Sequence, residues 1–230
     1  MGKHYAFSDI HGNYNLFKQI KKFLKNDDIC YVLGDCADRG NDGYRIIREI
    51  LEDERFVYIK GNHEQLFILA ILEQEKKNFH NWFINGGKTT FEEFRKDGMS
   101  NELVETINNL SLSAIYTNQD GITYVMTHSG FEYESKEENR ECLWNRKHFY
   151  NFDNIPKNII LVHGHTPSKY LQKWGVKGKM IGCENYKNEK PFYSYNNDQK
   201  LDIDCGTVSS KFIAIYCLDD YKAYGFYEIN

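Results

Sequence analysis

The chain has 230 residues, 41% hydrophobic and 27% charged, with a formal net charge of −4 and a pI near 6.1. That size and balance fit one globular domain over residues 1–230 and exclude a disordered chain; the acidic balance argues against a nucleic-acid coat protein, which is usually basic. No run approaches the roughly 18 apolar residues of a membrane helix, and Met1-Gly2-Lys3-His4-Tyr5 leads directly into a strand-like segment, so no signal peptide, no membrane partner and a cytoplasmic location are expected.

In chain order, Tyr5-Ala6-Phe7 reads as a strand leading to Asp9, and Leu16, Phe17, Ile20, Phe23 and Leu24 recur at helical spacing over 13–25. Ile29–Leu33 leads to Gly34-Asp35, a second helix is read from Tyr44 to Leu51, Phe56–Ile59 leads to Gly61-Asn62, and 65–74 reads as a third helix. This β-α-β-α-β-α order predicts an α/β fold with parallel strands and right-handed crossovers. Residues 78–110 are polar, aromatic and cap-like helical. Strands are expected at 113–117, 122–127, 159–163, 201–204, 211–217 and 223–228, with a long irregular loop over 168–200. That loop holds seven lysines against three acidic residues, a charge of +4 that leaves −8 for the rest. It is expected either as a solvated surface loop or as a mobile rim attracting an anionic substrate. The six cysteines form no CxxC pair and are expected as reduced, mostly buried thiols.

The informative pattern lies at the strand ends. In open α/β sheets sites form beyond the carboxyl ends of strands. Here those ends carry Asp9-Ile10-His11, Gly34-Asp35-Cys36-Ala37-Asp38-Arg39-Gly40, Gly61-Asn62-His63-Glu64, Thr127-His128-Ser129-Gly130 and His163-Gly164-His165-Thr166-Pro167. One such ending would read as a helix cap or a hydrogen-bonded histidine; five together predict a metal site. The ligand types are oxygen and imidazole without thiolate, which suits Mn, Fe, Zn or Co and not a structural zinc knuckle.

These motifs resemble the series of the calcineurin-like metallophosphoesterases, and more narrowly the compact bacterial and phage members of the phosphoprotein phosphatase branch. The likeness extends to Trp82-Phe83-Ile84-Asn85-Gly86-Gly87, Leu143-Trp144-Asn145-Arg146 and Ile203-Asp204-Cys205-Gly206, and is weak over 88–112 and 168–198. It implies a central two-sheet β-sandwich flanked by helices and two divalent ions, Mn²⁺ first, with Fe, Zn, Co or Ni also compatible. It implies Asp9, His11 and Asp35 at one ion, and Asp35, Asn62, His128 and His165 at the other, with Asp35 bridging. A bridging hydroxide would attack phosphorus, Arg39 and Arg146 would grip the phosphate together with Asn62, and His63, oriented by Asp38, would protonate the leaving oxygen. Read alone, Asp38 could cap the following helix and Arg146 could be a surface ion-pair residue; His163 reads as structural, Glu64 as packing behind the site.

The resemblance implies phosphate monoesters as substrates, with a Ser/Thr phosphoprotein foremost. The alternative is symmetrical hydrolysis of dinucleoside tetraphosphates; relatives with that activity tend to carry Ala for Asp38 and Asp for Glu64. A non-catalytic scaffold is the remote reading, since every expected ligand type is present. The sequence leaves the oligomeric state open.

Overall fold

The computed structural model describes residues 2–131, 133, 141–151 and 154–228. It opens as β1 (His4–Phe7), α1 (Tyr14–Phe23), β2 (Ile29–Val32), α2 (Gly43–Leu51), β3 (Phe56–Tyr58) and α3 (Asn62–Glu73). Three further helices follow: α4 (Lys76–Ile84), α5 (Lys88–Lys96) and α6 (Asn101–Asn108). The second half holds β4 (Ser113–Thr117), β5 (Thr123–Thr127), α7 (Glu141–Trp144), a 3₁₀ turn at Lys147–Phe149, β6 (Ile159–His163), α8 (Ser168–Lys173), β7 (Gly178–Ile181) and β8 (Phe192–Tyr195). It ends on β9 (Lys200–Asp202), α9 (Thr207–Ser210), β10 (Phe212–Cys217) and β11 (Lys222–Tyr227).

The strands form two mixed sheets, ordered β11-β10-β1-β2-β3 and β4-β5-β6-β9-β8-β7. In the first, β1, β2 and β3 run parallel; in the second, β5, β6 and β9 do. Antiparallel β10, β11, β4, β8 and β7 extend the edges. Between the sheets lie Ala6, Tyr31, Leu33 and Ile59 from one side and Tyr124, Met126, Val162 and Leu201 from the other. The opposite face of the first sheet is covered by α1, α2 and α3 through Leu16, Phe17, Ile20, Ile46, Ile47 and Phe67. This is the expected α/β fold with a two-sheet core, and it brings the carboxyl ends of six parallel strands to one rim.

Two expectations change. Helix α3 begins at Asn62, three residues before the periodic apolar run, because Gly61 serves as its N-cap and Glu64 at the third helical position folds back to accept the Gly61 N–H. The first turn is therefore part of the metal-site motif. Segment 168–200 is not an irregular loop: it contains α8, β7 and β8. All four side chains of β8 are buried because Phe192 faces the inter-sheet core while Tyr193 and Tyr195 pack with Leu171 and Val176 on the outer face. A strand covered on both sides lacks the polar alternation that marks a half-buried one. Lys200, which the charge count places in the loop, is buried and donates to the carbonyls of His148 and Asn151. Lys179 pairs with Asp198 at 2.7 Å. Lys169, Lys173 and Lys177 remain exposed on and just after α8.

The helical segment α4–α6 packs on α2 and α3, with Trp82, Phe94, Val104 and Ile107 buried. Among the described residues no helix is long and apolar enough to cross a membrane. All six cysteines are free thiols.

Candidate metal centre

Asp9 and His11 follow β1, Asp35 follows β2, Asn62 and His63 open α3 after β3, His128 follows β5 and His165 follows β6. Ligand atoms of His11, Asp35 and His63 lie within 4.8 Å of one another, as do those of Asp35, His128 and His165. Asp35 divides its carboxylate between the two groups. Its Oδ2 is 3.7 Å from His11 Nε2 and 3.8 Å from His63 Nε2, and its Oδ1 is 3.4 Å from His128 Nε2. Asp9 Oδ1 stands 3.9 Å from His11 Nε2. Asn62 Oδ1 is 2.8 Å from His128 Nε2 and 2.9 Å from His165 Nδ1.

The backbone is held in costly conformations to achieve this. Asp9, His11, Asp35, Asp38, Arg39 and His165 all have φ between 45° and 71°, in the left-handed region. Each such non-glycine residue costs on the order of 1 kcal/mol, and such strain persists only where surrounding contacts over-determine it. Glu64 is the main such contact on the β2–β3 side. Its buried carboxylate accepts N–H groups from Asp35, Cys36, Ala37 and Gly61 at 2.8 to 3.1 Å. Gly34 has φ 80°, and a Cβ there would meet Gly61 Cα at 2.4 Å, so the two strand ends touch backbone to backbone.

Protonation follows from the second hydrogen bond of each imidazole. His11 Nδ1 lies 3.0 Å from the Ala37 carbonyl oxygen and His128 Nδ1 lies 2.7 Å from that of Leu33. A carbonyl only accepts, so both rings donate from Nδ1 and turn a lone pair inward at Nε2. Burial, then His63 and Arg39, hold His11 well below its usual pKa range. Burial lowers His128, and burial with His128 lowers His165. Burial, then Asp9 and Glu64, push Asp35 well above the carboxylate range.

These observations test whether the residues suit a cation. The His128 lone pair faces Asn62 Oδ1, acceptor against acceptor, and the buried His165 Nε2 has no hydrogen-bond partner. Imidazoles that resist protonation surround a carboxylate that resists ionisation. Divalent cations relieve all of these at once, and the residues fit two, one on each side of Asp35.

Around this core, His63 Nδ1 lies 2.7 Å from Asp38 Oδ2. The same carboxylate accepts Trp82 Nε1 at 2.9 Å, and Asp38 N–H donates to Thr90 Oγ1. Asp38 is thus a buried acceptor held from α4 and α5, not a helix cap, and the helical segment 78–110 braces it. Arg39 turns its fork inward, with its two Nη atoms 2.7 Å from His11 Nε2 and 2.8 Å from His63 Nε2. Arg146 is exposed at the rim, its Nε donating to Thr166 Oγ1 at 3.0 Å. His163 points away, to Tyr195. Sequence reasoning missed Ser8, which donates to Asp9 Oδ2, and Thr90 and Thr166, because small hydroxyls beside a motif carry no signal of their own. It also gave no role to Asp204, which burial and Asp9 push well above the carboxylate range.

The family model described as calcineurin-like phosphoesterase matches residues 3–204, most of the chain and every residue of the cluster. The chain belongs to the calcineurin-like phosphoesterase family. A symmetrical bis(5'-nucleosyl)-tetraphosphatase of Buchnera aphidicola subsp. Schizaphis graminum (strain Sg) is 30% identical to this phosphoesterase over 133 residues, 55% of this chain and 44% of that protein. One from Wigglesworthia glossinidia brevipalpis is 32% identical over 77 residues, 32% of this chain and 28% of that protein. The match thus spans less than half the length of either relative. Among solved structures, a protein serine/threonine phosphatase from Saccharomyces cerevisiae superposes with a TM-score of 0.58 at 15% identity, covering 100% of this chain and 81% of that one. That likeness concerns the fold.

Proposed function

We propose that this phosphoesterase hydrolyses phosphate monoesters with two divalent cations, Mn²⁺ first, and that phosphorylated serine and threonine side chains are its substrate class. Asp9, His11 and Asp35 would hold one cation, and Asp35, Asn62, His128 and His165 the other. Such a pair, when bound, lowers the pKa of water and neutralises phosphoryl charge. The observation that carries the reading is the His63–Asp38 pair. Asp38 accepts from Nδ1 and so directs Nε2 at the cluster, where a proton held on Nε2 can pass to a departing alkoxide and the resulting imidazole keeps its partner. An alkoxide leaving group needs that proton; a nucleotide phosphate, a far weaker base, does not.

Arg39 cannot share the His11 lone pair with a cation. A cation held by His11 would repel the Arg39 guanidinium, whose fork would then be free to bind phosphate oxygens together with Arg146. Arg146→Ala should then raise KM and weaken inhibition by inorganic phosphate by about 10–150-fold, the loss of one charge-assisted contact of roughly 1.5–3 kcal/mol. An unchanged phosphate inhibition constant puts Arg146 outside the site.

Symmetrical cleavage of dinucleoside tetraphosphates is the second reading, favoured by the names of the curated relatives. A substrate panel separates the two. Chelator-stripped protein should be inactive, and with Mn²⁺ restored it should hydrolyse phosphoserine peptides and nitrophenyl phosphate. Turnover of diadenosine tetraphosphate with none of phosphopeptides establishes the second reading. Full activity after stripping removes the metal requirement.

A further inference from the structure

Behind the cluster, three buried side chains join end to end. His148 Nε2 lies 2.8 Å from the Ser129 carbonyl oxygen, Tyr195 Oη 3.0 Å from His148 Nδ1, and His163 Nε2 2.7 Å from Tyr195 Oη. The proton positions follow in order. A carbonyl only accepts, so His148 donates from Nε2. A neutral His148 then has a bare Nδ1, and Tyr195 must donate to it. The Tyr195 oxygen is left to accept, so His163 donates from Nε2 at 2.7 Å and forgoes donation from Nδ1 to the Gly164 carbonyl oxygen, the longer contact at 3.2 Å. The reverse order would need protons on both nitrogens of His148, a buried cation beside the Lys200 ammonium, which lies 2.9 Å from the His148 carbonyl oxygen. One order therefore satisfies all three contacts without added charge.

Both ends of the chain abut the His128–His165 half of the metal centre. Ser129 follows His128, and His163 stands two residues before His165. Between them the Gly164 N–H donates to the His128 carbonyl at 2.7 Å. A Cβ at Gly164 would meet Ser8 Oγ at 1.9 Å and Asp9 Oδ2 at 2.3 Å, so this turn has no slack to absorb a shift. Side-chain networks of this kind fix ring orientation more tightly than their separate bonds suggest.

We infer that Tyr195 is a positioning residue for the cation held by Asp35, Asn62, His128 and His165, acting through His148 and His163, with a smaller influence on the cation at Asp9 and His11, which the same turn reaches only through the His165 N–H on Asp9. This rests on the two-cation reading proposed for the centre. Tyr195 contacts no ligand atom and lies on β8, in the stretch the sequence shows only as an aromatic run.

The test is calorimetric titration of stripped protein with Mn²⁺, for wild type, Tyr195→Phe and Val176→Ala. Phenylalanine keeps the ring packed against Leu171 and Val176 and removes only the hydroxyl. In wild type two binding events are expected. In Tyr195→Phe one should weaken by about 10–100-fold, the usual loss for an outer partner of a ligand, while the other weakens clearly less, and kcat should fall with KM steady. Val176→Ala, which loosens the same apolar cluster without touching a hydrogen bond of the chain, should lower Tm and leave both events alone. Two unchanged events in Tyr195→Phe, or equal weakening of both, overturn the inference. If wild type binds fewer than two cations, the two-cation reading falls and the inference with it.

Discussion

His63→Asn should lower kcat by about 10²–10⁴-fold and change KM little, because a general acid acts only in the transition state. The leaving group decides how much is lost. Nitrophenolate departs without a proton, whereas the alkoxide of phosphoserine is strongly basic, so the loss on a phosphoserine peptide should exceed that on nitrophenyl phosphate many-fold. Asp38→Asn should reproduce part of the effect, since Asp38 accepts from His63 Nδ1 at 2.7 Å and fixes the orientation of the ring. Trp82 donates to the same carboxylate and keeps it aligned, so Trp82→Phe should follow in milder form. Equal losses on both substrates in His63→Asn remove the leaving-group role and leave His63 as a ligand-side residue, consistent with its place within 4.8 Å of His11 and Asp35.

Asp35→Asn should weaken both cations together, because one carboxylate offers Oδ2 to the His11 side and Oδ1 to the His128 side. Each cation present at 100 times its Kd adds about 2.7 kcal/mol to the folded state, so the rise in Tm on adding Mn²⁺ should nearly vanish in the variant, along with turnover. The stripped proteins should differ in the opposite sense. Burial, Asp9 and Glu64 raise the Asp35 pKa in the folded state, so the fold holds a proton that the unfolded chain releases. The Asp35 contribution to the stability of stripped wild type is therefore complete below the unfolded carboxylate range and is lost as pH rises through the raised folded value, while the lowered imidazoles of His11, His128 and His165 contribute in the opposite sense, losing stability as pH falls below the usual imidazole range. Asp35→Asn lacks this titration and should be as stable as stripped wild type at low pH, or more stable above it. Two tightly held ions and unchanged turnover in the variant would show that Asp35 does not bridge.

The gathering of candidate ligands was legible in the sequence because metal chemistry restricts residue type at strand ends: Asp9, His11, Asp35, Asn62, His128 and His165, which the fold brings together, stand in five motifs that repeat one logic. What braces them was not. Thr90 reaches Asp38 across 52 positions, and Tyr195 reaches His148 across 47, and no local spacing encodes such pairings. The strands β4 and β6 could be read from β-branched and apolar runs. Strand β8 could not, because Phe192-Tyr193-Ser194-Tyr195 is buried on both faces and shows no alternation. The three successive left-handed residues Asn196, Asn197 and Asp198 were a legible turn signal inside the supposed loop. Charge counting failed at Lys200 for the same reason: a lysine placed in a strand by its neighbours can be interior, with its ammonium on backbone carbonyls.

The Glu64 carboxylate joins two strand ends through four amides, and this sets how the centre can open. Asp35, Cys36, Ala37 and Gly61 share one acceptor group, so none can release its N–H to solvent by local fraying without disturbing the rest. Their protons should exchange as a unit, with the protection of the β2–β3 core and not that of surface turns. Arg146, tied by a single side-chain bond to Thr166, belongs to a different regime. The proposed ligand wall would thus move only together with the parallel sheet, whereas Arg146, in its proposed role at the phosphate, could adjust by itself.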